Sequence, residues 1–173
     1  MNNFILELPE LKNYYSQAEL IKIWEDNQHV PFSDSPEIQH DPNYCVESRI
    51  IKIDITKKLN HNIMTKEPEV WLVHKFAEHK LVQHTDDYLQ LVIPIDPQTY
   101  EVQFLNNVKD TDIIYGHNYR MPTLINGHLP HTANDKYMKR LYIGITLFFK
   151  QKSNSLWHDI DTYYNNGELI HGL

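Results

Sequence analysis

A single cysteine, Cys45, in 173 residues excludes an internal disulfide, so packing and hydrogen bonds must hold this fold. A reducing, cytoplasmic compartment is the expected setting. The same scarcity excludes zinc fingers built on cysteine sets. Five glycines are too few for glycine-rich phosphate loops, and no G-x-S-x-G nucleophile elbow is found. No apolar run reaches the roughly 18 residues of a membrane span, so no membrane partner is expected. The start, MNNFILELPELKN, lacks a basic stretch leading into a long apolar one, and no signal peptide is expected. Internal repeats, low-complexity tracts and linkers are also missing, which leaves one domain over residues 1–173 as the expectation. A net charge of −7 weighs against nucleic acid as a partner, because phosphate binding rests on Lys and Arg. The basic group Lys136, Lys139 and Arg140 reads as a solvated loop.

What is present is the material of a packed core: 41% hydrophobic and 12% aromatic residues. Ser16-Gln17-Ala18-Glu19 is a capping box, and Leu20, Ile21, Ile23 and Trp24 follow as an apolar face, which predicts a helix over 16–27. Phe4 to Leu11 reads as a short edge strand, and the proline-rich stretch 31–44 as loop. Alternation predicts strands over 46–56, with Ile51, Ile53 and Ile55 on one face, and over 70–76 and 100–105. Two strand-like runs share 79–95, and a short one covers 121–125 before the turn pair Asn126-Gly127. The longest strand candidate is 140–150, with Leu141, Ile143, Ile145 and Leu147 facing one way. A second helix is expected over 155–164, stopped by Asn166-Gly167. Many short strands with one or two flanking helices indicate a mostly-β sandwich or barrel.

The chemistry gathers between Gln83 and Arg140. Residues two apart on a strand share a face, so His84 and Asp86 of His84-Thr85-Asp86 project together. With 11 histidines and 12 aspartates, roughly one His-x-Asp is expected by chance, so the motif alone carries little. Its context adds weight, because a distal His131 follows at His131-Thr132-Ala133-Asn134 and Arg140 heads an apolar strand. Two imidazoles and one carboxylate can hold a metal on one side and leave the other side open, as non-haem Fe(II) sites do. Arg140, nine residues after His131, can return on the next strand as the cation for an anionic cosubstrate.

Two segments, VWLVHKFAEHKLVQHTDDYLQLVIPI (70–95) and HTANDKYMKRLYIGITL (131–147), resemble the Fe(II)/2-oxoglutarate-dependent oxygenases, and within them the aspartyl/asparaginyl β-hydroxylase and proline cis-hydroxylase-like group. Ala77-Glu78-His79 stands where that group often has a glycine turn. The resemblance implies a double-stranded β-helix of the cupin or jelly-roll kind. It makes His84, Asp86 and His131 the Fe(II) ligands and Arg140 the partner of the 2-oxoglutarate carboxylate. The reaction implied is hydroxylation by O2 of a C–H bond in an amino acid, free or within a peptide or protein.

Other readings stay open at this point. His128 rivals His131 as the distal ligand, since both lie on one loop. Arg120 could anchor an acidic group of the substrate or simply stand in solvent. His74 and His79 read as strand and turn residues, Trp71 and Tyr142 as core, and Asn134 as a brace for the distal-histidine loop. A cupin-type metalloenzyme without 2-oxoglutarate is one alternative function. A non-catalytic jelly-roll binding or structural module is the other.

Overall fold

The computed structural model describes residues 2–31, 46–75, 83–95, 101–133 and 140–171. Among the described residues, nine strands and two α-helices run in the order β1 (Ile5–Glu7), α1 (Gln17–Asp26), β2 (Val46–Ile50), β3 (Glu69–Lys75), β4 (Leu89–Pro94), β5 (Glu101–Leu105), β6 (Ile113–Asn118), β7 (Thr123–Ile125), β8 (His131–Ala133), β9 (Arg140–Leu147) and α2 (Leu156–Asn165). They form an antiparallel six-stranded sheet, β1-β7-β4-β9-β3-β2, and an antiparallel three-stranded sheet, β6-β5-β8. An isolated bridge from His84 to His131 adds a further short rung beside β8. The fold is mostly β, a double-stranded β-helix of the jelly-roll kind with two helices.

Alternation along the central strands decides the two faces of the large sheet. Leu89, Leu91 and Ile93 of β4 and Ile143, Ile145 and Leu147 of β9 are all buried and share one core cluster with Leu20 of α1 and Ile160 and Tyr163 of α2. Each such side chain contributes about 1.5–3 kcal/mol when fully removed from water, which is why both helices sit on this face. On the other parity, Val92 of β4 and Ile125 of β7 pack with Val102 and Phe104 of β5 and with Tyr119. That second cluster fills the space between the sheets.

The helices obey their local signals. Ser16 accepts the Glu19 backbone N–H, and the Glu19 carboxylate takes the Ser16 N–H at 2.7 Å, completing the capping box. Its buried face is Leu20, flanked by the half-buried Ile23 and Trp24, whereas Ile21 is 42% exposed. Ser155 caps α2, and Gly167 follows its end at φ +68°, a conformation that favours glycine.

Three sequence expectations are corrected. The strand expected over 46–56 stops at Ile50, and Asp54–Lys58 is a 3-10 turn. Ile51, Ile55 and Leu59 are the buried residues there, so a spacing of four replaces the alternation of 51, 53 and 55. In 4–11, only Ile5–Glu7 is strand, at a sheet edge, because Pro9 opens a 3-10 turn over Pro9–Leu11. One strand went unread, β6, which contains Gly116, His117 and Asn118, none a strong strand former. His131, expected on a later strand, opens the three-residue β8.

Candidate metal centre

The site lies where the segment leading into β4 meets the start of β8. The bridge between the strand ends exchanges two backbone bonds, His84 N to His131 O at 3.0 Å and His131 N to His84 O at 2.9 Å. That pairing sets the two imidazoles side by side, with ring centroids 4.4 Å apart and the ring planes tilted by 56°. The Asp86 N–H donates to the Gly127 carbonyl at 2.7 Å, which aims the carboxylate at both rings. His84 Nε2 lies 3.8 Å from Asp86 Oδ1, and His131 Nε2 lies 3.5 Å from Asp86 Oδ2. One ligand atom from each of the three residues can be chosen so that all lie within 4.8 Å of one another. The burial is graded: His131 is 7% exposed, Asp86 12% and His84 45%.

The chemistry of this set fits a divalent transition metal. Nitrogen and oxygen ligands about 2.1 Å from one ion stand about 3–3.5 Å apart, close to the spacing found. His131 donates its Nδ1–H to the Leu129 carbonyl at 2.8 Å, which fixes the tautomer and leaves Nε2 as a lone-pair donor. The Phe104 ring, 6.0 Å from the His131 ring, walls the site on the side of the core.

The loop between β7 and β8 is tailored to the carboxylate. A Cβ on Gly127 would overlap the Tyr88 carbonyl oxygen and come within 3.0 Å of Asp86 Cβ and 3.3 Å of Asp86 Oδ2. The loop is tied to the N-terminal strand by Asn126 N to Phe4 O at 2.9 Å and Asn126 Nδ2 to Asn3 O at 3.0 Å. Sequence reading takes Asn126-Gly127 only as a turn pair. The reason for glycine here is the approach of Asp86 and Tyr88, far earlier in the chain, which no local signal carries.

The other candidate residues fall as follows. His128 is exposed in the turn and stands outside the three-residue cluster. Arg140 takes the first position of β9, paired across from Lys75 of β3. Arg120 is exposed and lines a cavity of about 320 Å³ with Lys12, Gln17, Pro94 and Pro122, to which no cluster residue contributes. His74 packs its ring against Trp24 at 5.1 Å. Tyr142 is half-buried against the inter-sheet cluster, and Trp71 is half-buried. His79 and Asn134 lie outside the described residues.

No family model matches this chain, and no curated protein sequence matches it. Some solved structures are similar to it. An oxidoreductase of the 2OG-Fe(II) oxygenase family from Burkholderia pseudomallei is similar over 83% of this chain and 84% of that one, at 12% identity and a TM-score of 0.51. An RmlC-like cupin protein from Ralstonia eutropha is similar over 82% and 83%, at 15% identity and a TM-score of 0.42. The ribosomal oxygenase YcfD from Escherichia coli overlaps 61% of this chain and 29% of its own, at 14% identity and a TM-score of 0.33. The first of these likenesses shows a shared fold, and the other two are too loose to add to it. Among the described residues, no helix is long and apolar enough to cross a membrane.

Proposed function

We propose that this chain is one Fe(II)- and 2-oxoglutarate-dependent oxygenase domain that hydroxylates a C–H bond of an amino acid, free or within a peptide. The observation that carries the reading is the convergence of His84 and Asp86, from the segment leading into β4, with His131 of β8. Iron held there supplies the redox chemistry that couples decarboxylation of 2-oxoglutarate to succinate with insertion of an oxygen atom from O2. The chain's own share is binding and orientation. Asp86 would offer the anionic ligand and the two imidazoles neutral ones, a set that can hold a metal on one side and leave the other for cosubstrate and O2. The Leu129 carbonyl keeps His131 in the tautomer that ligates. Burial of His131 against Phe104 keeps water off the inner side.

Arg140 is the proposed partner of the far 2-oxoglutarate carboxylate, because guanidinium matches a carboxylate with two parallel hydrogen bonds. Arg140 heads β9, which pairs antiparallel with β4 so that Tyr142 faces Pro94, and the assignment rests on the resemblance carried by residues 131–147. The test is formation of succinate from 2-oxoglutarate by purified protein with Fe(II) and air. Activity that needs Fe(II) and disappears in Asp86→Ala supports the reading. Iron binding with no turnover of 2-oxoglutarate points to a cupin-type metalloenzyme instead.

A further inference from the structure

Strand β6 is hydrogen-bonded on one side only, to β5, and forms the edge of the smaller sheet among the described residues. Such an edge offers a row of backbone donors and acceptors to another strand, and chains usually blunt it with lysine, proline or an inward charge. The strand's sequence, Ile113-Ile114-Tyr115-Gly116-His117-Asn118, has none of these. Ile113 is 51% exposed, Ile114 46% and Val108, in the preceding turn, 42%, which puts three of the five exposed large apolar residues among those described at this edge.

The strand is also held in readiness. Tyr115 stacks on Phe4 with centroids 4.7 Å apart and accepts a hydrogen bond from Asn2 at 2.7 Å. Its two ends carry opposite charge: Asp112 lies four residues before Gly116 and Arg120 four after it. Both are exposed, and among the described residues neither has an ion-pair partner.

We propose that β6 is a homodimer interface, in which two copies pair antiparallel, edge to edge, about a two-fold axis at Gly116. In that register Asp112 of each copy faces Arg120 of the other, Ile114 faces Asn118, and Tyr115 faces His117. A parallel pairing would set Asp112 against Asp112 and is disfavoured by like charge. The β5–β6 register shifts between Phe104 and Leu105, which pair with Tyr115 and Ile113, so Ile114 is the extra residue and Tyr115 to Asn118 is the regular stretch at the centre of the new pairing. The two small sheets then join into one continuous sheet, and a second copy is the occupant that this self-complementary charge pattern fits. The interface is independent of the metal centre.

The experiment is sedimentation velocity on the full chain over a concentration series. A dimer that dissociates on dilution is expected. Asp112→Arg and Arg120→Asp should each raise the dissociation constant by about tenfold or more, since symmetry makes every reversal count twice. The double reversal should restore the original dimer. Ile114→Lys should also shift the chain towards monomer, with far-ultraviolet circular dichroism reporting an unchanged fold. A chain that stays monomeric at the highest concentration overturns the proposal. So does a dimer unmoved by Ile114→Lys and by either single reversal, or a double reversal that fails to restore association.

Discussion

The Nδ1–H of His131 is bonded to the carbonyl oxygen of Leu129 at 2.8 Å, which leaves its Nε2 facing Oδ2 of Asp86 at 3.5 Å. Two residues of one loop thus fix which imidazole nitrogen is free and where it points. The same loop carries Gly127, whose carbonyl receives the Asp86 N–H. In the proposed metal site, the backbone of this loop thus helps to position the three side chains.

Removal of a ligand is the first consequence. Asp86→Ala and His131→Ala each leave two donors, and Mn(II) affinity measured by calorimetry is expected to fall by more than about 100-fold, since changes one shell further out already cost 10- to 100-fold. Affinity should also fall in acid, because protons compete for the imidazoles and the carboxylate. Equal affinity in the wild type and in Asp86→Ala would remove this residue from the coordination sphere.

Gly127→Ala should damage the fold and the site together. The added methyl overlaps the Tyr88 carbonyl and presses on Asp86. A loss of about 1–3 kcal/mol in urea unfolding is expected, with weaker Mn(II) binding in the protein that remains folded. A neutral substitution would show that the loop yields without cost.

Arg140→Ala is expected to leave Mn(II) affinity unchanged and to raise the 2-oxoglutarate concentration needed for half-maximal turnover. The test separates the cosubstrate role from a structural one, which would lower metal affinity and stability too. An unchanged 2-oxoglutarate requirement would remove Arg140 from the site.

His117 predicts a pH dependence of stability. Burial pulls its imidazole below the ordinary value of 6.5, with Glu7 opposing and Arg120 reinforcing the shift. The folded state favours the neutral ring, so the unfolded chain takes up the proton first as pH falls. Stability from this group is complete above about pH 6.5 and declines as pH drops towards the lower folded value. His117→Gln should therefore flatten the change in unfolding midpoint between about pH 7.5 and 5.5 relative to wild type. An identical slope in both proteins would contradict the assignment.

Asp159 acts at lower pH and in the same sense. Burial would raise its carboxyl, but the backbone N–H groups of Lys152 and Ser153, at 2.6 and 2.9 Å, outweigh that and hold it below its ordinary 3.8. Its contribution is present above about pH 4 and is lost as pH falls through the lowered value. Asp159→Asn should reduce stability at neutral pH and shrink the loss seen on acidification to about pH 3.

Much of this was legible in the chain because several signals were local. Alternation along Leu141, Ile143, Ile145 and Leu147 marked β9, and the Ser16–Glu19 box marked α1. His84 and Asp86 share a face with only one residue between them, and the structure adds His131 to them by a bridge between strand ends. Distant contacts decided what was missed. Ile51 to Leu59 alternates like a strand, yet its residues bury at every fourth position under the sheet. Strand β6 takes its conformation from pairing with β5, against the weak propensity of Gly116, His117 and Asn118. The need for glycine at 127 comes from Asp86 and Tyr88, and the bond to the Leu129 carbonyl depends on how the loop folds back.

The measurement that bears most directly on the function is an anaerobic titration of metal-free protein with Fe(II) and then 2-oxoglutarate, followed by visible absorption. The account predicts a weak charge-transfer band that develops only when both are present and is lost in Asp86→Ala. Bound iron that gives no such band with 2-oxoglutarate would contradict it, and protein that binds no iron at all would leave His84, Asp86 and His131 with a structural role.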